Sequence, residues 1–386
     1  MTSYQKFLQV GIALDPIHVG AGGAHIGRVD LTIVRDPVTR IPKIPGSSLA
    51  GVYRTYVAMH YEEDRQLKLQ QGQQSEQQSE QQSKTRKKPY FPDCAGLGLD
   101  QKNGHCRYPN CPVCTVFGFA AGAGQEGGFA GLAAFTDAHV LLFPVPTREG
   151  PKWVTSPMAL RQIGLKVQGV DDNAVYMEKS SYYKLNLGWL LLPVRECDQI
   201  SKIKKKRFRN LWGLGYTSDT SGTLDTSGTP DTSGIPDIFS CIPNNLALVP
   251  DRLFSHIVNS NLEVRTSVSI NPETGAAEEG ALFSYEALPR WTVLVWEIIC
   301  KNPKYFKVRG QDIQVTMDGG GEMDTPKKVC QVAAKAHPYM EYLGIGGMGT
   351  RGMGRVKVVY SGDPDSGQSI DSIDCTSPPS QGGDRS

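Results

Sequence analysis

The sequence lacks a charge of one sign: 41 Lys and Arg stand against 39 Asp and Glu in 386 residues, a formal net charge of +2. No bulk field draws it onto a nucleic acid or an anionic surface, so any charge that binds a partner must be local. It has no apolar run near the ~20 residues of a membrane-spanning helix, and its apolar start at 7–14 is broken by Gln9 without a signal-cleavage pattern. The expectation is a cytoplasmic protein with no membrane partner. A helix-bundle composition is missing as well, because 42 Gly and 25 Pro call for many turns and long loops. Nor are the cysteines spaced as a disulfide framework. Of nine, four crowd into residues 94–114 and the rest scatter singly, which is the pattern of a metal site in a reducing compartment.

Along the chain, Leu8, Val10, Ile12 and Leu14 alternate as a half-buried first strand that ends at Asp15-Pro16. A glycine-rich loop carrying His18 and His25 follows, then an apolar patch at 29–34 that holds one acid, Asp30. A buried strand does not normally tolerate that acid. After Pro42 and Pro45, capping serines followed by Leu49, Val52, Tyr53 and Tyr56 at helical spacing predict a helix. Strands are predicted at 135–145, 291–299 and 356–360, and helices starting at Ser156-Pro157 and Thr325-Pro326. Mixed in this order, the elements predict an α+β fold, a sheet with helices on one face. Three polar stretches fall outside that core. Residues 64–89, rich in Gln, Ser, Glu and Lys, predict a disordered insertion; 215–238, with Asp-Thr-Ser-Gly starting at Asp219, Asp225 and Asp231, predicts a low-complexity loop; 361–386 predicts a disordered tail.

Chemistry concentrates in a few places. Cys94, Cys106, Cys111 and Cys114, with His105 beside the second, contain one Cys-x-x-Cys knuckle and can close a tetrahedral structural zinc site, His105 being an alternative ligand. Six glycines and two arginines within 344–355 offer bare amides and guanidinium forks to phosphate oxygens, or else form a structural turn. Ser47 and Ser48, between Lys43 and Arg54, either cap a helix or cradle a phosphate. Asp30 can bind a divalent cation or help to deprotonate a nucleophile; its alternative is a salt bridge to Arg28 or Arg35. The run Lys202 to Arg209 is a solvated face or an RNA contact.

Several motifs follow one another in order: His18-Val-Gly-Ala-Gly, then 29–36 around Asp30, then 44–54 ending in Arg54. Phe117-Gly118 comes after the knuckle, Phe135-Thr-Asp-Ala-His139 after that, then 265–286 and the loop 346–352. Together they resemble the RAMP superfamily of CRISPR-associated proteins, specifically the backbone subunit of type III RNA-guided complexes. The resemblance implies an RRM-like (ferredoxin-like) palm over 1–63 and 115–360, a zinc-binding loop at 90–118 and a thumb hairpin at 256–290. It implies guide CRISPR RNA, complementary target RNA and other type III subunits, further backbone subunits included, as partners in a ribonucleoprotein complex of antiviral defense. It also implies a metal-dependent endoribonuclease that cuts the target at regular intervals, with Asp30 catalytic, His18 its helper, Tyr285 and Glu286 at the thumb base, and Mg²⁺ or a similar cation bound. Guide contacts would come from Lys43, Ser47, Ser48, Arg54, Gly346, Gly347 and Arg351, Ala50 standing where many relatives have Lys. The alternatives are a non-catalytic RNA-binding scaffold of the same complex and a guide-processing endonuclease of the same superfamily. With a near-neutral chain, RNA binding requires a positive groove between Lys43, Arg54 and Arg351.

Overall fold

The computed structural model describes residues 2–22, 29–72, 89–96, 104–121, 127–180, 182–200, 242, 245–278, 281–318, 320–362 and 372–375. His25, Arg28, the basic run at 202–209 and the loop at 215–238 lie outside them.

Strand β1 (Tyr4–Ala13) is followed by the short β2 (Lys43–Ile44) and helix α1 (Gly46–Gly72), then by α2 (Pro112–Phe117), β3 (Ala133–Phe135), β4 (Ala138–Thr147) and β5 (Gly150–Thr155). Next come α3 (Pro157–Arg161), β6 (Lys166–Gln168), β7 (Val175–Met177), β8 (Lys184–Leu187), β9 (Leu190–Glu196), β10 (Leu246–Leu248) and α4 (Asp251–Ser260). The chain closes with β11 (Glu263–Ser267), β12 (Phe283–Ala287), β13 (Val293–Lys301), the small hairpin β14 (Lys307–Val308) and β15 (Gln311–Asp312), α5 (Pro326–Ala334), α6 (His337–Tyr342), β16 (Val356–Gly362) and β17 (Ser372–Asp374). The fold is mixed α+β. Its main sheet runs β16-β1-β13-β4-β5-β10-β7-β9-β8, with β2 and β3 attached to β4 and β13. At its centre β1 is antiparallel to β13 and β16, and β13 is antiparallel to β4. Helix α1 lies between β1 and β4 in sequence, and α5 between β13 and β16. Strands β11 and β12 form a separate hairpin paired from Glu263↔Ala287 to Ser267↔Phe283.

Strand β1 is buried on both faces from Phe7 to Ala13, not half-buried as its alternation predicted, because the sheet is covered on both sides: Phe7 and Ala13 join the cluster that includes Leu49, Tyr53, Val57, Val329 and Val332, whereas Leu8, Val10 and Ile12 join Leu141, Trp153 and Leu160 on the other face. The helices sit mainly on the first side, and α3 straddles the two, with Ala159 in the first cluster and Leu160 in the second. The capping signals act as read. Ser156 and Thr325 side chains accept from Ala159 N and Lys328 N, with Pro at the first helical position of α3 and α5. The strand predicted at 135–145 is broken at Thr136-Asp137, because the Asp137 carboxylate turns to accept the Gly46 amide at the head of α1, 2.8 Å away. Two disorder boundaries are corrected. Helix α1 continues through 64–72, where Lys68 pairs with Asp64 and Arg65 with Glu62, and within the expected tail β17 pairs in parallel with β6.

One half-buried histidine packed on the core makes its stability depend on pH. Burial pushes His337 from 6.5 down to about 4, and its Nε2 lies 3.1 Å from the Tyr53 hydroxyl. The unfolded chain takes a proton near pH 6.5 that the folded chain refuses, so stability is complete above that pH and is lost as pH falls toward 4. The loss expected over this window is about 3 kcal/mol. Denaturant titrations between pH 4 and 7 should show that slope in the wild type and a flatter one in His337→Gln, which keeps a polar partner for Tyr53 without titrating.

Candidate functional site

Residues 29–36 form no regular strand; isolated bridges zip them between other segments, Leu31 to Tyr285, Ile33 to Gly20 and Arg35 to Pro42. Backbone bonds from Leu31 N to Ser284 O and from Glu286 N to Leu31 O, 3.1 and 3.0 Å, hold this stretch against β12. That placement explains how an acid can sit in an apolar patch: Val29 and Ile33 are buried while Asp30 is exposed. Its Oδ2 accepts from the Ser284 amide at 2.7 Å and the Ser284 hydroxyl at 2.9 Å. The amide, then the hydroxyl, hold the carboxyl below its ordinary 3.8, so Asp30 is ionised at neutral pH.

The salt bridge weighed for Asp30 does not form with Arg35. That guanidinium donates to Glu286 Oε2 at 2.7 Å and to Asn259 Oδ1 at 2.9 Å. Glu286 is thereby committed inside the base of the hairpin, also accepting from Ile33 N at 3.4 Å. His18 is buried, and its Nδ1 lies 2.7 Å from the Glu286 carbonyl. A carbonyl only accepts, so Nδ1 is the donor in this contact. The His18 carbonyl accepts from Gly347 N at 2.8 Å, and a Cβ on Gly346 (φ 80°) would stand 2.4 Å from that oxygen. Glycine is therefore required at 346 both by its left-handed conformation and by this close approach. Arg351 extends the same group: it is exposed, its guanidinium lies 5.6 Å from the Phe283 ring centroid, and it forms no ion pair among the described residues. Arg355, the other arginine of the loop, pairs with Asp15. Thus His18, Asp30, Tyr285, Glu286, Gly346, Gly347 and Arg351 come together where the glycine loop meets β12.

Two expected members do not join them. Arg54 is turned inward, its Nε donating to Cys94 O at 2.8 Å and its Nη2 to His105 Nδ1 at 2.9 Å and Gly118 O at 2.8 Å. Lys43 pairs with Asp137 at 2.7 Å and Asp36 at 3.7 Å. The positive groove expected between Lys43, Arg54 and Arg351 is therefore not formed; only Arg351 offers free charge, because chain reversals brought carboxylates and carbonyls onto the other two. Ser47 is exposed and Ser48 partly so at the head of α1.

The thiol loop is the second site. Cys94, Cys106, Cys111 and Cys114 are all buried, with their sulfurs within 4.8 Å of one another, and this group can hold a metal ion. Cys111 caps α2 by accepting from Cys114 N at 3.4 Å, the local geometry a Cys-x-x-Cys knuckle provides. Hydrogen bonds from Cys111 and Cys114 bring the Cys106 thiol down to about 7, and Cys114, bonded first to Cys106, is pushed up as the shared proton stays with it. His105 is not in the group. It faces Arg54, and burial together with Arg54 and Arg107 lowers it to about 4. Sequence reasoning missed Ser284 and Asp137, whose partners lie 254 and 91 residues away.

A family model described as the RAMP superfamily matches residues 12–357. The Cmr4 endoribonuclease of the CRISPR system Cmr from Pyrococcus furiosus is 24% identical over 358 residues, 92% of this chain and 95% of that protein. The Csm3 endoribonuclease of the CRISPR system Cms from Mycobacterium tuberculosis is 43% identical over 67 residues, 16% of this chain and 28% of its own length. A chain from the cryo-EM structure of the type III-B Cmr-beta bound to cognate target RNA aligns over 93% of this chain and 98% of its own, with 15% identity and a TM-score of 0.51, a likeness of fold.

Proposed function

The chain belongs to the RAMP superfamily, and from that membership we propose that it is a guide-RNA-binding backbone subunit of a type III CRISPR complex that cleaves complementary target RNA. The observation that carries the cleavage reading is Asp30, an exposed, ionised carboxylate tethered to Ser284 on the β11–β12 hairpin. Relatives along the chain are endoribonucleases by name. The central strand order β16-β1-β13-β4, with one helix crossing in each half, supports an RRM-like palm, and the β11–β12 hairpin supports a thumb within 256–290.

RNA carries its own nucleophile, the 2′-OH, so the protein's part is to hold one nucleotide in line and to stabilise charge at the scissile phosphate. Asp30 is suited to the second task more than to proton abstraction, since a carboxylate held below its ordinary range is a weak base. Both Ser284 bonds fall on Oδ2, which leaves Oδ1 as an open ligand for a hard cation, and magnesium needs only one or two carboxylates beside phosphate and water. When bound, such a cation would lower the cost of charge on the phosphate oxygens. Buried His18 acts as a positioning residue, fixing the Glu286 carbonyl to the glycine loop. The positive groove that a near-neutral chain was expected to need is missing, so the RNA-binding reading rests on superfamily membership and not on local charge; guide phosphates are assigned to Ser47, Ser48, Gly346, Gly347 and Arg351, with Lys43 and Arg54 withdrawn to internal partners. In the thiol loop zinc fits: four sulfurs around it at about 2.3 Å stand about 3.8 Å apart, and Cys106 and Cys114 sulfurs are separated by 3.7 Å.

The test is to incubate the guide-loaded complex with 5′-labelled complementary RNA in Mg²⁺. Evenly spaced fragments ending in 2′,3′-cyclic phosphate are expected. A complex that binds the RNA and leaves it intact would favour the scaffold reading.

A further inference from the structure

One cation of the fold lacks an anion. Arg54 is partly buried against the thiol loop, and burial pulls its guanidinium below the ordinary 12.5. A positive charge taken out of water is normally paired with a carboxylate. Arg54 makes no such pair among the described residues. Its Nε donates to Cys94 O, and its Nη2 to Gly118 O and His105 Nδ1. The carbonyls carry no charge, and His105, brought down to about 4, is neutral at pH 7. Asp93, the acid of the described loop segments, lends its backbone carbonyl to His105 N at 3.1 Å and pairs with no arginine among the described residues.

The groups whose charge opposes burial at this guanidinium are Cys114, Cys94 and Cys111. They belong to the four buried sulfurs that lie within 4.8 Å of one another. The state of those sulfurs decides the balance. Four thiols carry no charge, whereas four thiolates around Zn²⁺ form a dianion. Arg107, next to Cys106, is a second cation without a carboxylate among the described residues. Its Nε is buried with no hydrogen-bond partner, and its guanidinium lies 6.0 Å from the Phe119 ring centroid. Position adds to charge. From α1, Arg54 reaches two separate stretches of the loop, bonding the Cys94 carbonyl at 2.8 Å and, at 2.9 Å, the imidazole of the residue before Cys106. One group thereby fixes the backbone that carries the sulfurs and faces their charge, as outer-shell partners of a metal do.

We propose that Arg54 is the counter-ion of a tetrathiolate zinc centre formed by Cys94, Cys106, Cys111 and Cys114, and that its charge sets how tightly the metal is held. The inference rests on the zinc reading above.

The test titrates the full chain with zinc in competition with a chromophoric chelator, comparing wild type with Arg54→Gln, Arg54→Met and Arg54→Lys. Arg54→Gln keeps donors without charge, Arg54→Lys keeps charge without the planar fork, and Arg54→Met keeps neither. Arg54→Gln and Arg54→Met should weaken zinc binding about tenfold or more, the usual effect of losing an outer-shell partner, while Arg54→Lys lies closer to wild type than to Arg54→Gln. Every variant should still purify with zinc bound, because structural sites hold the metal far more tightly than that loss. A tie acting through hydrogen bonds alone gives the reverse order, with Arg54→Gln tighter than Arg54→Lys. Wild-type affinity in Arg54→Gln overturns the proposal, as does Arg54→Lys binding no more tightly than Arg54→Gln. Cobalt separates that failure from failure of the zinc reading. A wild-type chain that takes up Co²⁺ with the sulfur-to-metal charge-transfer band of thiolate ligation has the centre whatever the variants do, and one that takes up neither metal lacks it and overturns both.

Discussion

Replacing Asp30 with alanine is expected to slow cleavage of a bound complementary RNA by about 10²- to 10⁴-fold while the guide-loaded complex still assembles and holds its target. The side chain is exposed and among the described residues bonds only to Ser284, so its removal frees one hydroxyl and one amide to water and leaves the buried neighbours Val29 and Ile33 in place. Asp30→Asn separates charge from tether. The amide oxygen can still accept from Ser284, so the loop stays against β12, yet the negative charge is gone. If charge is what acts at the phosphate, Asn is nearly as slow as Ala; activity close to wild type in Asn would assign Asp30 to loop anchoring. Ser284→Ala removes the hydroxyl bond and keeps the shorter amide bond, and a severalfold loss is expected. The pH dependence follows from the same bonds. Because the Ser284 amide and hydroxyl hold Asp30 below 3.8, its carboxylate is fully ionised above pH 5, and deprotonation of Asp30 contributes no limb to a single-turnover profile between pH 5 and 8.

Loss of the thiol loop is the second large effect. Cys111→Ser is expected to abolish stoichiometric zinc in the purified chain and to lower its melting temperature by about 5 °C or more, because metal binding in such sites is folding free energy. The knuckle packs into the core around α1, and Arg54 adds a charged tie to it. Arg54 joins α1 to Cys94 O, His105 and Gly118 O, so Arg54→Met should retain zinc, lower the melting temperature and leave guide-RNA affinity within about twofold. Three acceptors left without a charged donor account for a loss of about 2–3 kcal/mol. A large drop in guide affinity with unchanged stability would restore the phosphate role that sequence alone had given Arg54.

Arg54 and Asp30 illustrate what sequence could and could not convey. Local signals carried well: the alternation of β1, the serine and threonine caps of α3 and α5, and the Cys-x-x-Cys cap of α2 depend on residues within four positions of one another. The glycine loop was legible as a place of close approach, and the motif order placed Asp30, His18 and Gly346 in one family pattern. What failed to carry was the partner of each charge. Lys43 reads as a phosphate ligand until β4 brings Asp137 beside it, and Arg35 reads as the partner of Asp30 until Asn259 and Glu286, more than 220 residues on, take its donors. Such pairings are set by which strands become neighbours, and in a sheet this wide most neighbours are distant in sequence. Burial of His18 was hidden for the same reason. Helix α1 outran its expected end because Glu62–Arg65 and Asp64–Lys68 pairs support it after the apolar face stops.

The most direct test of the account is to assemble guide-loaded complexes from mixtures of wild-type and Asp30→Ala chains and to read the cleavage ladder of an end-labelled complementary RNA under single-turnover conditions. If each copy of this chain cuts at its own position through Asp30, every band falls in proportion to the mutant fraction, the spacing stays fixed, and the fully mutant complex binds its target without cutting it. A ladder that keeps its intensity at every mixing ratio would contradict the account and assign the nuclease to another subunit.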